Sequence, residues 1–124
     1  MTHPVVHWEI GGHSLPALSD FYAKAFGWKI DEADENYCLV HPADGGLGGG
    51  LMQTHDQMPP YVTIYVQVDN LEEELKTIAG LGGTMLMPPT AINDNASFAL
   101  FQDPAGNIVG LLRTSEPINS QPAR

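Results

Sequence analysis

The spacing of hydrophobic residues in the first half of the chain predicts a strand, a helix and three further strands. The run from Val5 to Ile10 predicts a strand that ends at Gly11-Gly12. Ser14 is typical of a helix N-cap, and apolar residues then recur at helical spacing as far as Gly27. Those apolar residues are Leu15, Leu18, Phe21, Tyr22 and Phe26. The three strands that follow are predicted at Trp28 to Ile30, Tyr37 to His41 and Leu47 to Gln53.

The second half of the chain repeats this order of elements. Residues 61–68 predict a strand, and Asn70 with Glu73 forms a capping box at the start of a second helix. The apolar stripe of that helix comprises Leu71, Leu75, Ile78 and Leu81, and Gly82-Gly83 ends it. Three more strands are predicted at residues 84–87, 97–101 and 108–113, the first of them ending at the Met-Pro stretch.

Two constant offsets relate the halves. A shift of 56 residues carries His7 onto Thr63 and Leu15 onto Leu71, and a shift of 60 carries residues 46–53 onto 106–113. The repeat predicts an α+β fold of two βαβββ modules, residues 5–53 and 61–113, within one domain of residues 1–115. Residues 116–124 are polar and predict a C-terminal tail. The alternative is an unrelated α+β domain with two similar helices.

Composition limits the cell compartment and the partners. The chain has 124 residues with 43% hydrophobic, and it shows neither a signal peptide nor an apolar run long enough for a membrane span. A single cysteine is consistent with the cytoplasm, where we expect this protein. Five Lys+Arg against 15 Asp+Glu give a net charge of -10, which argues against nucleic acid and anionic membranes as partners. The sequence leaves a homodimer open.

Three motifs resemble those of the glyoxalase/bleomycin resistance/dioxygenase (vicinal oxygen chelate) superfamily. Residues 21–28 (FYAKAFGW) resemble the signature that ends the first helix in glyoxalase-like proteins. Residues 68–71 (VDNL) are similar to the strand-to-helix junction of the second module, and residues 101–107 (FQDPAGN) to the turn before the last strand. The strand at residues 48–52 (GGGLM) resembles a bacterial subgroup known only as glyoxalase-related. The resemblance implies a curved mixed sheet of two βαβββ modules around a pocket, with the helices on the outer face.

The resemblance also implies where a metal would bind. Metal enzymes of this superfamily take two ligands from the first strands of the modules and two from the last strands, usually His, Glu or Gln. His7, Thr63, Gly50 and Gly110 occupy those positions here. A single imidazole cannot hold a divalent ion tightly, because affinity needs several converging ligands. We therefore predict no metal cofactor, and we expect His or Glu at the other three positions to restore binding if the glycines tolerate side chains.

Strand alternation predicts which polar side chains face the pocket. His7 and Glu9 lie on one face of the first strand, and Trp8 and Ile10 lie on the other. In the second module, Ile64, Val66 and Val68 should cover the helix, opposite Thr63, Tyr65 and Gln67. The predicted ligand-binding residues are therefore His7, Glu9, Thr63, Tyr65 and Gln67.

Three functions remain open from the sequence. The first is a glyoxalase-like protein that binds a small molecule without the superfamily's metal. The second is a lyase, isomerase or hydrolase for a small oxygenated substrate, with Glu9 and His7 as the candidate acid/base pair. The third is an interaction module with a vestigial pocket. Apart from these functions, the polar cluster can have a purely structural role. The lone Cys38 lies in an apolar run and is interpreted as a small buried residue rather than a nucleophile.

Overall fold

The structure, a computed structural model, describes residues 2–115 and has an α+β fold. The predicted order of two βαβββ modules is confirmed. The elements are β1 (Val5–Gly12), α1 (Leu15–Phe26), β2 (Lys29–Asp34), β3 (Tyr37–His41), β4 (Gly49–Gln53), β5 (Tyr61–Gln67), α2 (Leu71–Gly80), β6 (Thr84–Asn93), β7 (Ala96–Gln102) and β8 (Ile108–Thr114). The predicted tail lies outside the described residues.

The chain divides into two compact units, and each corresponds to one module apart from the ends of β1 and β5. Residues 7–63 form one unit, and residues 64–115 with the segment before residue 7 form the other. In the first module the strand order is β2-β3-β4-β1, with β1 and β4 parallel and the other pairs antiparallel. In the second module the order is β5-β8-β7-β6, again with one parallel pair, β5 and β8.

The strand register reproduces both sequence offsets. In the first module Glu9 pairs with Gly50, and in the second Tyr65 pairs with Gly110. The offset of 56 residues carries Glu9 onto Tyr65, and the offset of 60 carries Gly50 onto Gly110. The two modules therefore repeat at the level of individual residue pairs. A pocket enclosed by both of them stays a prediction.

Both helices begin at the predicted caps. The Ser14 hydroxyl accepts a hydrogen bond from the Ala17 N–H at 3.3 Å, and the Asn70 side chain accepts one from the Glu73 N–H at 3.0 Å. Helix α1 has a further acceptor, because Gln53 Oε1 receives the Leu15 N–H at 2.9 Å. The helix ends at Gly27, whose φ of 70° is the left-handed conformation that favours glycine. Within residues 2–115, neither helix is long and apolar enough to cross a membrane.

Each module packs its helix against one face of its own strands. The core of the first module is formed by Leu15, Cys38, Val40 and Leu51, and that of the second by Val68, Leu71, Leu75, Ala99 and Leu111. Cys38 is buried as predicted, and burial, with Glu32 and Asp34 nearby, raises the pKa of its thiol. A raised pKa keeps the thiol protonated, so it is a poor nucleophile at neutral pH.

Two sequence expectations about the second module are wrong. Strand β6 does not end at the Met-Pro stretch but runs from Thr84 to Asn93. Strand β6 tolerates Pro88 and Pro89 for two reasons. It lies at the end of the strand order, and its register with β7 shifts between Met87 and Thr90. A backbone N–H is therefore not needed there for a regular hydrogen bond between strands. Ile64 is 41% exposed and does not cover the helix, whereas Val66 and Val68 pack in the core as expected.

Candidate functional site

The candidate site is centred on Glu9, a buried carboxylate on β1. The predicted alternation of this strand is confirmed, because Trp8 and Ile10 pack against the first core while His7 and Glu9 lie on the opposite face. Glu9 is only 6% exposed. An acidic side chain is rarely buried to this extent unless hydrogen bonds or charges compensate for the lost hydration. The contacts of Glu9 therefore determine how this part of the module is organised.

Two tyrosine hydroxyls donate hydrogen bonds to the two oxygens of Glu9. Tyr37, the first residue of β3, donates to Oε1 at 3.0 Å. Tyr61, the first residue of β5, donates to Oε2 at 2.5 Å. An ionised carboxylate can only accept hydrogen bonds, and here both oxygens do so. Two tyrosines that lie 28 and 52 positions from Glu9 in the sequence thus converge on its carboxylate.

His7 extends this arrangement into a chain of four side chains. Its Nε2 atom lies 2.9 Å from the Tyr37 hydroxyl oxygen. Because the single hydrogen of that hydroxyl is donated to Glu9, the bond from His7 must come from an N–H at Nε2. His7, Tyr37, Glu9 and Tyr61 therefore form a continuous hydrogen-bonded chain, which we call the Glu9 cluster. His7, Tyr37 and Tyr61 are half-buried, so the chain includes accessible groups on both sides of the buried carboxylate.

Glycines make room for both tyrosine rings. A Cβ atom at Gly50 would lie 2.7 Å from Cε2 of Tyr37 and still closer to its hydroxyl. At Gly11 a Cβ atom would lie 2.7 Å from Cζ of Tyr61. Real Cβ atoms essentially never approach other atoms so closely, so these backbone positions accept the rings only without a side chain. The Glu9 cluster thus depends on glycines that do not themselves take part in it.

The five predicted ligand-binding residues fall into both compact units. His7 and Glu9 are joined through Tyr37, and Thr63 is buried in the same unit at 6% exposure. In the other unit, the ring of Tyr65 covers Gly110, and Gln67 Nε2 donates to the Thr114 hydroxyl at 3.1 Å. A ligand-binding role for these five residues stays a prediction.

The sequence reasoning missed Tyr37 and Tyr61. Tyr61 could have been found, because it is two residues before Thr63 and therefore shares the predicted polar face of β5. Tyr37 begins a strand that was interpreted only as apolar packing. Its signal is the pairing of Leu39 with Gly50, since Tyr37 lies on the same face as Leu39 and can lean over a glycine that has no side chain.

At the positions where the resemblance places metal ligands, the residues have other contacts or no side chain. The Nε2 atom of His7 donates to Tyr37, and Thr63 supplies only a buried hydroxyl. Gly50 lies under Tyr37, and Gly110 lies under Tyr65, whose Cγ would be 2.9 Å from an added Cβ atom. Among residues 2–115, no group of three or more His, Cys, Asp or Glu side chains is arranged to hold a metal ion. Side chains introduced at Gly50 and Gly110 would therefore have to displace the rings of Tyr37 and Tyr65.

The motifs that carry the resemblance stabilise the fold. In residues 101–107, Asp103 accepts hydrogen bonds from the backbone of Ala105 and Asn107 and from the Asn107 side chain, at 2.9 to 3.0 Å. The side-chain hydrogen bond from Asn107 contributes most to lowering the pKa of Asp103.

In residues 21–28, Tyr22 stacks on Trp28 with ring centres 5.1 Å apart, and Trp28 also contacts Trp8. Neither motif includes a member of the Glu9 cluster.

Sequence comparison identifies the family. The profile described as a glyoxalase-like domain matches residues 12–112. The chain therefore belongs to the glyoxalase-like family of the vicinal oxygen chelate superfamily.

It is 27% identical over 120 residues to a candidate glyoxylase of Mycobacterium tuberculosis, covering 84% of this chain and 43% of that protein. It is 25% identical over 116 residues to an anthracycline biosynthesis protein of Streptomyces peucetius, covering 79% of this chain and 42% of that protein. The chain thus spans less than half the length of these relatives.

Solved structures show the same fold at low sequence identity. A hypothetical protein from Bacillus halodurans has a TM-score of 0.69 and 15% identity, covering 94% of this chain and 98% of that one. Methylmalonyl-CoA epimerase from Mycobacterium tuberculosis has a TM-score of 0.69 and 12% identity, with coverages of 94% and 91%. At these identities the similarity concerns the fold and not the reaction.

Proposed function

We propose that this chain is a small-molecule binding protein that uses the Glu9 cluster in place of the superfamily's metal site. The observation that carries this proposal is the buried Glu9 carboxylate, held by two tyrosine hydroxyls. Buried polar groups that converge from distant parts of a chain are typical of ligand sites, where a few polar side chains fix the orientation of a small molecule. The position of Tyr37 over Gly50 supports metal-free binding, because it fills the space that a ligand side chain would need.

The accessibility of the cluster supports binding over a purely structural role. His7, Tyr37 and Tyr61 are each half-buried, so their polar atoms lie within reach of a ligand, which a purely structural cluster does not need. The relative from Streptomyces peucetius is named for anthracycline biosynthesis, and the mycobacterial relative is named as a candidate glyoxylase. Both names concern small organic molecules rich in oxygen. We therefore propose a ligand of this kind, bound in the cytoplasm.

Replacing Glu9 with glutamine should abolish ligand-induced stabilisation while leaving the unliganded protein folded. Glutamine has nearly the size of glutamate, but it lacks the charge that the tyrosines solvate. A ligand at about 100 times its Kd stabilises a protein by about 2.7 kcal/mol, which thermal denaturation detects. A panel of small oxygenated molecules that includes an anthracycline should therefore raise the Tm of the wild type and not that of Glu9→Gln.

The matched control for this experiment is Glu35→Gln, which makes the same chemical change in an exposed turn. Its response to the panel should equal that of the wild type. If Glu9→Gln is itself unfolded, Glu9 is a structural residue and the proposal fails. If Glu9→Gln responds to the panel as the wild type does, binding takes place elsewhere.

Metal analysis tests the proposal that the protein binds its ligand without a metal ion. The purified protein should contain well below one equivalent of Zn, Ni, Mn or Fe, and mild chelation should leave its Tm unchanged. The reason is the donor set, because Thr63, Gly50 and Gly110 stand where the superfamily has ligands and only His7 remains. Inductively coupled plasma mass spectrometry gives the stoichiometry. A stoichiometric metal would show that ligands come from other positions and that the site assignment is wrong.

A second candidate function is acid/base catalysis, which the continuous chain from His7 to Tyr61 favours. Hydrogen-bonded side chains of this kind can pass a proton between a buried carboxylate and an accessible group. A lyase or isomerase that removes a proton next to a carbonyl group would exchange that hydrogen with solvent. Incubation in deuterated water with methylmalonyl-CoA, the molecule for which the epimerase named above is called, tests this class directly. Deuterium incorporation that Glu9→Gln abolishes would favour the enzyme over the binding protein.

A further inference from the structure

We propose that a cavity in the second module binds a free amino acid with an apolar side chain. The cavity has a volume of about 370 Å³ and is lined by residues from the start of helix α2 and from strands β6, β7 and β8. All of its lining residues belong to the unit that contains residues 64–115. The Glu9 cluster lies in the other unit, so the inference does not rest on the proposed function.

Arg113 supplies the positive charge of the cavity. It follows Leu111 by two residues on β8, and Leu111 packs in the second core with Leu71 of helix α2. Side chains two apart on a strand share a face, so Arg113 lies on the face of the sheet that carries α2. Arg113 pairs with Ser97 of β7, and directly paired residues of antiparallel strands have neighbouring side chains. A guanidinium and a hydroxyl, both donors to carboxylates, therefore lie side by side in the cavity.

Two carboxylates supply the opposite charge. Asp69 and Glu72 line the same cavity, beside and within the first turn of α2. Within residues 2–115, neither of them forms an ion pair with Arg113. Because the charged groups line one cavity without pairing, a molecule in the cavity meets both signs of charge.

This mixture of charges disfavours ligands that carry only one charge. An anion that is attracted to Arg113 is repelled by Asp69 and Glu72, and the net charge of -10 adds to the repulsion. A cation that is attracted to the two carboxylates is repelled by Arg113. A zwitterion can place its carboxylate beside Arg113 and its ammonium beside the acidic pair, so that each charge gains an opposite partner.

The remaining lining sets the size and polarity of the ligand. Leu71 is buried and Pro89 is half-buried, and both contribute apolar surface to the cavity. A volume of about 370 Å³ is near the lower end of the range for small-molecule sites, which is roughly 300 to 1,000 Å³. An amino acid with an apolar side chain combines this size with the two charges and an apolar part.

Three probes with the same aromatic skeleton test the charge requirement. L-Phenylalanine is a zwitterion at neutral pH, phenethylamine lacks its carboxylate, and hydrocinnamate lacks its ammonium. Isothermal titration calorimetry should show that the wild type binds phenylalanine at least about tenfold more tightly than either of the other two. Equal affinity for phenylalanine and for one of the singly charged probes, or no binding of phenylalanine, would overturn the inference.

Variants with matched controls assign each charge of the ligand to a side chain. Arg113→Gln should weaken the binding of phenylalanine about tenfold without weakening that of phenethylamine. Lys76→Gln removes the same charge at an exposed position of α2 and should bind phenylalanine as the wild type does. Equal losses in the two variants would mean that only the charge of the whole molecule matters, and the inference would fail.

The acidic side is tested in the same way. Asp69→Asn/Glu72→Gln should weaken the binding of phenylalanine about tenfold without weakening that of hydrocinnamate. Glu35→Gln/Asp44→Asn changes the net charge equally in two exposed turns and should bind phenylalanine as the wild type does. A double variant of the acidic pair that binds phenylalanine as tightly as the wild type would show that the ammonium does not bind there.

Nuclear magnetic resonance of backbone amides locates the bound amino acid. The signals of Ser97 and Arg113 should shift on addition of phenylalanine, and those of His7 and Glu9 should not. Glu9→Gln should also bind phenylalanine as the wild type does, which separates this site from the proposed function. Shifts at His7 and Glu9 without shifts at Ser97 and Arg113 would place the amino acid at the Glu9 cluster and overturn the inference.

Discussion

Replacement of Leu51 by alanine should lower the free energy of unfolding by about 2–5 kcal/mol. Leu51 is completely buried and is the largest side chain in the described part of the chain with less than 2% exposure. It lies in the centre of β4 and packs in the first core with Leu15, Cys38 and Val40. Its removal loses the transfer free energy of the side chain and leaves a cavity that the surrounding strands fill only in part. Urea denaturation followed by circular dichroism measures the change.

Leu39 provides the comparison on the neighbouring strand. It is 41% exposed, so Leu39→Ala should cost roughly 1 kcal/mol or less. The difference between the two variants isolates burial from the loss of a leucine in a strand. Equal losses would mean that Leu51 is not the centre of the first core.

The Gly110→Ala substitution should destabilise the protein by about 1–3 kcal/mol, although it adds a single methyl group. The added Cβ would lie 2.9 Å from Cγ of Tyr65, the ring atom nearest the tyrosine backbone. That end of the side chain cannot swing aside by rotation of the ring, so either the strand pair β5–β8 shifts or Tyr65 leaves its rotamer. Thermal denaturation of the variant measures the cost.

Gly80 supplies the matched control for this substitution. A Cβ at Gly80 meets nothing within 4 Å, and the residue lies in helix α2. Gly80→Ala should therefore be neutral or stabilise by up to about 1 kcal/mol. In a Tyr65→Ala background, Gly110→Ala should cost less than it does in the wild type, because the ring that the methyl group strikes is gone. A Gly110→Ala variant as stable as Gly80→Ala would show that the ring does not pack on this glycine.

The sequence predicted those features of the fold that depend on local spacing. Leu15 and Leu71 begin the two helices because the caps before them satisfy backbone N–H groups that any helix leaves exposed. The end of β6 was missed for a reason that is not local. Whether a proline interrupts a strand depends on whether the strand has a neighbour on that side, and only the strand order shows this.

The candidate site could be predicted only in part. The alternation of β1 placed His7 and Glu9 on one face, because that rule needs only neighbouring residues. The alternation of β5 could have placed Tyr61 on the polar face as well. That Tyr37 and Tyr61 both reach Glu9, across 28 and 52 residues, follows from no periodicity in the sequence. The glycines were recognised as missing metal ligands. That they are also the space in which tyrosine rings lie follows only from the packing.

The contact between Trp8 and Trp28 has a consequence for spectroscopy. These are the two tryptophans of the chain, and both lie in the unit formed by residues 7–63. Intrinsic tryptophan emission therefore reports on the first module alone, whereas far-ultraviolet circular dichroism senses the backbone of both. Superimposable denaturation curves from the two signals would show that the modules unfold as one cooperative unit. Separated curves would identify which module loses its structure first, without the introduction of any label.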